Sequence, residues 1–338
     1  MRSEYFCYTS LIIVVVMCMK IFGVIIIFVI AVCGLGAQAD SGEIIYIGTA
    51  EQFANIRELA TGGTTFKLSA DIELPADWHP FVFKGSLDGA GHSVTGFTRG
   101  LFLRVEDADI RNLVIKDVHV TVNGCVKTSS VGILAGEITR SVIENVQIED
   151  SSVSANFTFL GFYAVGGLAG RADSSSVKNV VLSNSRIDVV NADMMKLFVV
   201  TGGLAGIVSN SVIENCQAGA DVSSGGSAGG FVGLLKGRSR IEASCSRGIV
   251  SGEVNIGGFA GIISAAGAPN TITNCAAFSP AVIGPAGGNV RRFAGLLEHE
   301  GINGCHAYLG MAVIAGGKLM HVVPNAYGAD GVDMRVKK

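Results

Sequence analysis

A six-residue phrase built from glycine and apolar residues recurs along the chain and limits the folds that it can adopt. The clear copies run over Val131–Gly136, Val165–Gly170, Thr201–Gly206, Ala228–Gly233 and Ile256–Gly261. A weaker sixth copy ends at Gly295, and the closing glycines are 34, 36, 27, 28 and 34 residues apart. Because a period of roughly 30 residues is typical of stacked-repeat proteins, the chain is predicted to be a solenoid.

A second phrase, which ends in a small apolar residue, follows each copy and also precedes the first. Its last residues are predicted to share one inward-facing column, made of Leu113, Val146, Val180, Cys216, Cys245, Cys275 and Cys305. The segments are short, rich in Val and Ile, and interrupted by Gly, Ser and Asn, which indicates short strands and tight bends. We therefore predict an all-β fold, a right-handed parallel β-helix with coils ~4.8 Å apart.

Two further columns follow from this arrangement. Asparagine tolerates positive φ and its amide can hydrogen-bond to an equivalent amide in the next coil, so bends are predicted at Asn112, Asn145, Asn179, Asn215 and Asn274. Large apolar side chains are predicted to stack inside the helix at Leu134, Leu168, Leu204, Phe231, Phe259 and Phe293.

These units resemble the GLUG repeat, named for its glycine-hydrophobic-glycine core. Such repeats occur in bacterial surface proteins, adhesin-like proteins and the flanking regions of some IgA-protease-type metallopeptidases. The resemblance covers roughly Ile110 to Ala307, and Phe66–His92 is similar to the segment that commonly precedes the repeats. It implies an architecture and hardly any particular activity. Arg291 and Arg292 replace the glycines of the sixth copy, so the last coil is predicted to be irregular.

The chain divides into four predicted regions without an internal linker. They are a signal peptide or N-terminal anchor (1–39), an N-terminal cap with the first irregular coils (40–109), the repeats (110–307), and a C-terminal cap and tail (308–338). Within the cap, Thr49 and Gln52 form a predicted capping box. Phe53, Ile56 and Leu59–Ala60 share one predicted helical face, and Trp78 is expected to pack beneath it.

The N-terminal segment has the composition of an export signal. Leu11–Cys18 and Ile21–Leu35 are apolar, and Ala37–Ala39 has the small-x-small form of a signal-peptidase site, with cleavage after Ala39. The predicted localisation is therefore secreted or cell surface. The alternatives are an uncleaved anchor and a lipidated Cys33, which the preceding Val32 disfavours; translation could start at Met19 rather than at Met1.

Charge restricts the partners. Charged residues make up 16% of the chain and its net charge is −3, which argues against nucleic acid or an anionic membrane surface as a partner. Membrane contact is expected only through an uncleaved N-terminal segment. A surface glycan or an extracellular matrix protein is the predicted partner.

No residue set has the spacing of a known catalytic, cofactor-binding or metal site, and no cofactor is predicted. The four cysteines Cys216, Cys245, Cys275 and Cys305 lack CxxC spacing, and a structural core role is favoured over disulfides or a metal. Cys125 lies outside that column. The group His299, Glu300, Cys305 and His306 lacks the HExxH pattern and is expected at the surface.

Carboxylates are also interpreted as structural. Asp88–His92 is predicted to form a turn, and Glu144 and Glu214 recur within the repeated phrase as solvated positions. The acidic residues before the repeats are scattered along the sequence; they are Asp71, Glu73, Asp107 and Asp109. A polysaccharide-cleaving β-helix needs carboxylates gathered on one face, so the chain is predicted not to be an enzyme.

The leading functional prediction is an exported β-helical protein that acts by binding and resembles an adhesin. Two inserts between early copies, Ser151–Ala164 and Asp188–Val200, are expected to form loops or additional strands on one side, where repeat proteins often bind partners. One alternative is a scaffold fragment of a larger surface protein or peptidase, and another is a carbohydrate-active β-helix enzyme. The oligomeric state stays open.

Overall fold

The computed structural model separates the chain into two compact units, residues 1–42 and residues 43–338. It describes residues 14–21, 24–31, 44–59, 64–124, 129–158, 160–191, 193–267, 269–298, 301–322 and 328–334. In the first unit, Val14–Ile21 and Val24–Ala31 pair as antiparallel strands. The predicted cleavage site after Ala39 and the residue Cys33 lie outside the described residues. Among the residues described, no helix is long and apolar enough to cross a membrane.

The second unit is a parallel β-helix built from three sheets, which confirms the predicted fold class. The six-stranded sheet contains Ser130–Val131, Tyr163–Gly166, Val199–Gly202, Ser227–Gly229, Asn255–Gly257 and Asn289–Arg291. The eight-stranded sheet contains Val82–Phe83, Phe102–Glu106, Ala135–Thr139, Ala169–Asp173, Ala205–Ser209, Val232–Lys236, Ala260–Ile263 and Ala294–Leu297.

The third sheet, called the long sheet below, runs the whole length of the β-helix. Its first strands are Ile44–Ile47, Thr65–Leu68, Ile72–Glu73, Ser86–Asp88, Ser93–Thr95, Asp109–Lys116, His119–Asn123, Val142–Glu149, Ser152–Phe157, Ser176–Lys178 and Val181–Asn191. They continue with Val212–Glu214, Gln217–Ser224, Arg240–Glu242, Cys245–Arg247, Val250–Ser251, Thr271–Thr273, Ala276–Ala277, Ala281–Gly284, Ile302–Asn303, His306–Tyr308, Ala312–Ala315, Lys318–Leu319 and Val332–Met334.

Each glycine phrase turns the chain between two sheets. The corner needs glycine because a Cβ on Gly203 would lie against the carbonyl oxygen of Gly230 in the next coil. Next to the corner, Phe259 stacks on Phe231 and on Phe293 at ring-centroid distances of 4.7 and 4.8 Å. All three side chains are fully buried, as predicted for this column.

The predicted asparagine column is confirmed. Asn112, Asn145, Asn179, Asn215 and Asn274 all have positive φ, between 53° and 55°. The amide of Asn145 donates to the side-chain oxygen of Asn112 at 3.1 Å, Asn179 donates to Asn145 at 3.0 Å, and Asn215 donates to Asn179 at 2.7 Å. Each amide therefore fixes its own corner and connects it to the coil before.

The cysteine column differs from the prediction by one residue. Strand register pairs Ile213 with Ile241 and Gln217 with Cys245, which puts Ser244 at the position of Cys216. Ser244 is buried and its hydroxyl accepts a hydrogen bond from the Cys216 backbone N–H at 3.1 Å, whereas Cys245 is half-buried. The column therefore contains Cys216, Cys275 and Cys305 but not Cys245.

Helix α1, Ala50–Leu59, closes the N-terminal end of the β-helix. The Gln52 backbone N–H donates to the hydroxyl of Thr49 at 3.2 Å, and the Gln52 side chain accepts from Gly48, as in a capping box. Phe53 and Ile56 are buried, and Trp78 packs edge-on against Phe53 at 5.8 Å. The prediction was wrong for Leu59, which is exposed; Ala60 lies outside the described residues.

At the C-terminal end, Arg292 occupies the corner position of Gly258 and is buried. Its guanidinium donates to the Asp333 carboxylate at 2.6 Å and to the carbonyls of Asp330 and Gly331. These bonds hold residues 328–334 over the last coil. The arginine that breaks the glycine phrase thus forms part of a closing contact, and strands continue beyond Tyr308.

Candidate functional site

The two predicted inserts lie on neighbouring coils, and each contains a short segment between two strands. In the first insert, Ser152–Phe157 is a strand of the long sheet, and residues 160–162 lie just before the strand Tyr163–Gly166. In the second insert, a 3-10 helix covers Asp193–Phe198. Both segments precede paired strands, since Tyr163 is in register with Val199, so the two segments belong to neighbouring coils.

These segments carry exposed apolar side chains, which we call the loop ridge: Leu160, Phe162, Leu197 and Phe198. Leu160 is 75% exposed and Leu197 is 73% exposed. Phe157 stacks on Tyr163 at 3.9 Å and anchors the first loop, and the Arg171 guanidinium lies 5.7 Å from the centre of the Phe162 ring. Exposed apolar groups on supported loops are typical of protein-contact surfaces.

A groove of about 650 Å³ crosses the outer face of the long sheet. We call it the polar groove and define it by His119, Asp150, Asn184, Arg186, Asp221 and Arg247. The strands that bear these residues are in parallel register, so the groove runs across successive coils. Most of the residues that line it are polar or charged, in contrast to the apolar residues of the loop ridge.

Local bends produce the groove. Asp117, Asp150 and Asn184 adopt positive φ of 53°, 49° and 48°, so the long sheet turns outward at the same point in three consecutive coils. The next coil lacks this bend, and the register between the two strands shifts between Leu182 and Ser185. Such a bulge increases the local twist and changes the direction of nearby side chains.

Glycines keep the groove floor open beside the bulge. A Cβ on Gly219 would lie 2.6 Å from the carbonyl oxygen of Leu182, which is too close for any other residue without a backbone shift. Gly248 has φ of 99°, a conformation that favours glycine, and a Cβ there would meet the carbonyl of Ala220. Neither position can present a side chain to fill the groove.

The cations of the groove lack carboxylate partners. Arg186 is exposed and forms no ion pair with any residue that the structure describes. Arg247 stacks its guanidinium over the Phe278 ring at 4.8 Å and likewise has no ion pair within the described ranges. Asp221 accepts the Ile249 backbone N–H at 2.7 Å, and His119 Nδ1 lies 3.0 Å from the Ser152 hydroxyl.

A neighbouring row of charges is saturated by internal pairs. Glu214 contacts the Lys178 ammonium at 3.0 Å and also pairs with Arg240, which lies 3.3 Å from Glu242. Hydrogen bonds from Lys178 and Arg240 lower the pKa of Glu214, so this carboxylate is ionised and engaged. Glu214 thus holds a structural position in the repeated phrase, and in the strand register Lys178 lies between Glu144 and Glu214.

The scattered acidic residues before the repeats do not converge. Asp71 accepts the Ser93 backbone N–H at 2.8 Å, a bond that lowers the pKa of Asp71. Asp107 forms a bidentate pair with Arg140 at 2.7 and 2.8 Å, and Asp109 pairs with Arg111. The predicted turn is present, since Asp88 accepts the Ala90 backbone N–H at 2.9 Å. These carboxylates hold local structure, and exposed Glu73 lies apart on its own short strand.

The cysteines that share the column are buried and structural. Burial raises the pKa of the Cys216 thiol to about 12, which keeps it protonated and unreactive at neutral pH. The Cys275 thiol donates to the Thr273 carbonyl at 3.2 Å and the Cys305 thiol donates to the Asn303 carbonyl at 3.4 Å. The neighbouring Cys305 thiol and burial raise the pKa of Cys275. Cys216, Cys245, Cys275 and Cys305 are free thiols.

Across the described ranges, no three His, Cys, Asp or Glu side chains are placed to hold a metal ion. Cys125, His299 and Glu300 lie outside those ranges. Within the last predicted group, Cys305 is buried rather than at the surface and His306 is half-buried on its strand.

Sequence reasoning had not identified the polar groove. Arg186, Asp221 and Arg247 belong to no repeated phrase, so nothing in the repeat marks them. The two glycines of the floor, Gly219 and Gly248, interrupt Val- and Ser-rich strands and were the one available signal.

Comparison with known proteins connects the chain to one kind of protein. No protein-family model matches it. Immunoglobulin A1 protease of Streptococcus sanguinis is 26% identical over 186 residues, which are 53% of this chain and 9% of that relative. A solved structure named IgA1 protease matches with a TM-score of 0.55 at 17% identity, over 94% of this chain and 23% of the other. A candidate immunoglobulin A1 protease from Bacteroides ovatus gives a TM-score of 0.49 at 19% identity, over 86% and 84% of the two chains.

These findings change the functional interpretation. The structural likeness, at this level of identity, establishes the fold alone. The prediction that the chain is not an enzyme is contradicted, because the curated relative is named a protease. The name of this relative supports the alternative of a scaffold of a surface protein or peptidase. The chain spans about a tenth of the length of this relative. The GLUG resemblance and the adhesin-like function stay predictions.

Proposed function

We propose that the chain forms a substrate-binding β-helix of an exported peptidase related to immunoglobulin A1 protease. The observation that carries the proposal is the 26% identity to such a protease over about half of the chain. A peptidase that acts on a large folded protein gains specificity from contacts outside its reacting groups, and a rigid solenoid is well suited to supply them.

The loop ridge is the surface that we assign to the protein substrate. Leu160 and Leu197 expose about three quarters of their side-chain surface on neighbouring coils. Burying apolar groups of this kind at an interface contributes roughly 25 cal/mol per Å² removed from water, before the costs of association. An immunoglobulin chain is the partner that the named relative suggests.

Binding and cleavage of immunoglobulin A1 by the purified full chain test the proposal. Binding is measured by biolayer interferometry with immunoglobulin G as the control, and cleavage by mass spectrometry of the products. We expect saturable binding to immunoglobulin A1 that weakens at least tenfold in the double variant Leu160→Asp/Leu197→Asp. The control variant Leu319→Asp, at a residue 74% exposed near the C-terminal end, should bind normally.

The outcomes separate the candidate functions. Cleavage of immunoglobulin A1 by this chain would establish that the chain itself is a peptidase. Binding without cleavage would support a substrate-binding part. A folded protein that neither binds nor cleaves immunoglobulin A1, or that binds only matrix proteins, would overturn the proposal in favour of the adhesin-like alternative.

A further inference from the structure

The polar groove is separate in chemistry from the loop ridge and needs a different kind of ligand. Its defining side chains offer charged and amide groups, and its floor is kept open by Gly219 and Gly248. The groove crosses from the coil of His119 to the coil of Arg247, four coil steps in the strand register, or ~19 Å at the usual strand spacing. It can therefore hold an extended ligand.

Acceptors and donors alternate along this length. Asp150, Arg186, Asp221 and Arg247 follow one another on successive coils, so a carboxylate is succeeded by a guanidinium twice. Asn184, which has an exposed side-chain amide, adds both a donor and an acceptor beside the bulge. A ligand that matches this series must both donate and accept hydrogen bonds at short intervals.

The two arginines of the groove can reach a ligand because no carboxylate of the described residues pairs with them. Arg111 and Arg240, on the same sheet, are paired with carboxylates. Arg186 and Arg247 have no such partner among the described residues, and Phe278 fixes the orientation of the Arg247 guanidinium. A guanidinium that is held in place, as that of Arg247 is, loses little conformational entropy when it binds.

A polypeptide is a poor match for the groove floor. Peptides often bind a sheet by adding a strand to a free edge. Here Val181–Asn191 is paired on one side with Ser152–Phe157 and on the other with Gln217–Ser224, so the floor offers no strand edge. Recognition must come from side chains, and these are suited to hydroxyl groups, each of which donates and accepts.

We propose that the polar groove is a binding site for an oligosaccharide. Sugar hydroxyls would donate to Asp150 and Asp221 and accept from Arg186 and Arg247, in the order in which the coils present them. The proposal stands on the groove alone and holds whether or not the chain acts on immunoglobulin.

An array of neutral and acidic oligosaccharides, probed with the full chain and followed by calorimetry on the sugars that bind, tests this assignment. We expect saturable binding of an oligosaccharide, and each of the single variants Arg186→Ala and Arg247→Ala should weaken it at least tenfold. The matched control is Arg238→Ala, which removes an exposed arginine at another corner of the coil. Circular dichroism shows that each variant is folded.

Two results would overturn the assignment. One is a folded protein that binds no sugar on the array. Sugar binding that is equally strong in Arg238→Ala and in the double variant Arg186→Ala/Arg247→Ala counts as the same result. The other is sugar binding that is lost in Leu160→Asp/Leu197→Asp and kept in the arginine variants, which would move the site to the loop ridge. A chain that binds sugar through the two arginines but does not bind immunoglobulin A1 would support the groove assignment and would count against the proposed peptidase function.

Discussion

At the corner column of this β-helix, asparagine has two separate effects on stability. It accepts a positive φ at less cost than most residues, and its amide bonds to the amide of the next coil. The column runs from Asn112 to Asn215 without interruption and is then broken at Ala243, which has φ of 50°. At that position the strained backbone is kept and both amide bonds are lost.

Replacing Ala243 with asparagine should therefore stabilise the protein. The new amide would lie between Asn215 and Asn274, and we expect a gain of about 1 kcal/mol, the usual net value of a hydrogen bond plus some relief of backbone strain. The free energy of unfolding from urea titration measures it. Ala243→Gly is the control, since it relieves the backbone alone; an equal gain in both variants would show that the amide contacts contribute nothing.

Stacked identical side chains are the main feature at the scale of one element. Phe231, Phe259 and Phe293 lie almost parallel, with interplanar angles of 6° and 5°. The same column holds Leu168 and Leu204 in earlier coils, so the site accepts either size when its neighbours match. A side chain of a different size in the middle of the stack should lower the free energy of unfolding by more than the loss of its own buried area would.

Truncation of Phe259 tests this point. We expect Phe259→Ala to cost about 3–5 kcal/mol, because it removes both ring contacts and leaves a cavity. Phe259→Leu should cost roughly 1–2 kcal/mol, since leucine fills most of the volume. Chemical denaturation gives both values. Equal losses in the two variants would mean that ring stacking, and not volume, holds the column.

The repeat phrases were sufficient to predict the strands, the corners and the inward columns, because each is repeated with the same residue types. The register of Cys245 could not be obtained in the same way. Ile241 to Cys245 holds one residue more than Ile213 to Cys216, and a small residue fits on either face, so alignment on cysteine misplaced it. The polar groove was missed because its shape depends on the three bends and on the one-residue bulge opposite Gly219, and a single sequence does not show which coils carry a bulge.

Over the whole molecule, stability depends on neighbouring coils and on closure of the two ends. Solenoid repeats contact only adjacent repeats, so an uncovered end can fray and expose strand edges. Helix α1 covers the first coils, and residues 328–334 cover the last, where the backbone N–H groups of Phe293 and Ala294 both donate to the Ala329 carbonyl. The buried Arg292 connects this segment to the coil.

Arg292→Met should loosen that end of the molecule. We expect a loss of roughly 2–4 kcal/mol, below the usual cost of breaking a fully buried pair because Asp333 is about one third exposed. Hydrogen exchange should quicken at Phe293, Ala294 and Val332 and stay unchanged around Phe53. Arg291→Met serves as the control: it removes the 3.7 Å ion pair between the exposed Arg291 and Asp330 and should cost about 0–1 kcal/mol. Uniformly faster exchange would contradict a local closing role.

The length of the polar groove depends on how many coils carry the bend. Asp117, Asp150 and Asn184 repeat the bend once per coil, and the coil after them lacks it. Gain or loss of one bent coil would lengthen or shorten the groove by one strand spacing, ~4.8 Å, and leave the rest of its chemistry unchanged. Related chains with different numbers of bent coils would then bind ligands of different lengths through the same kinds of side chain.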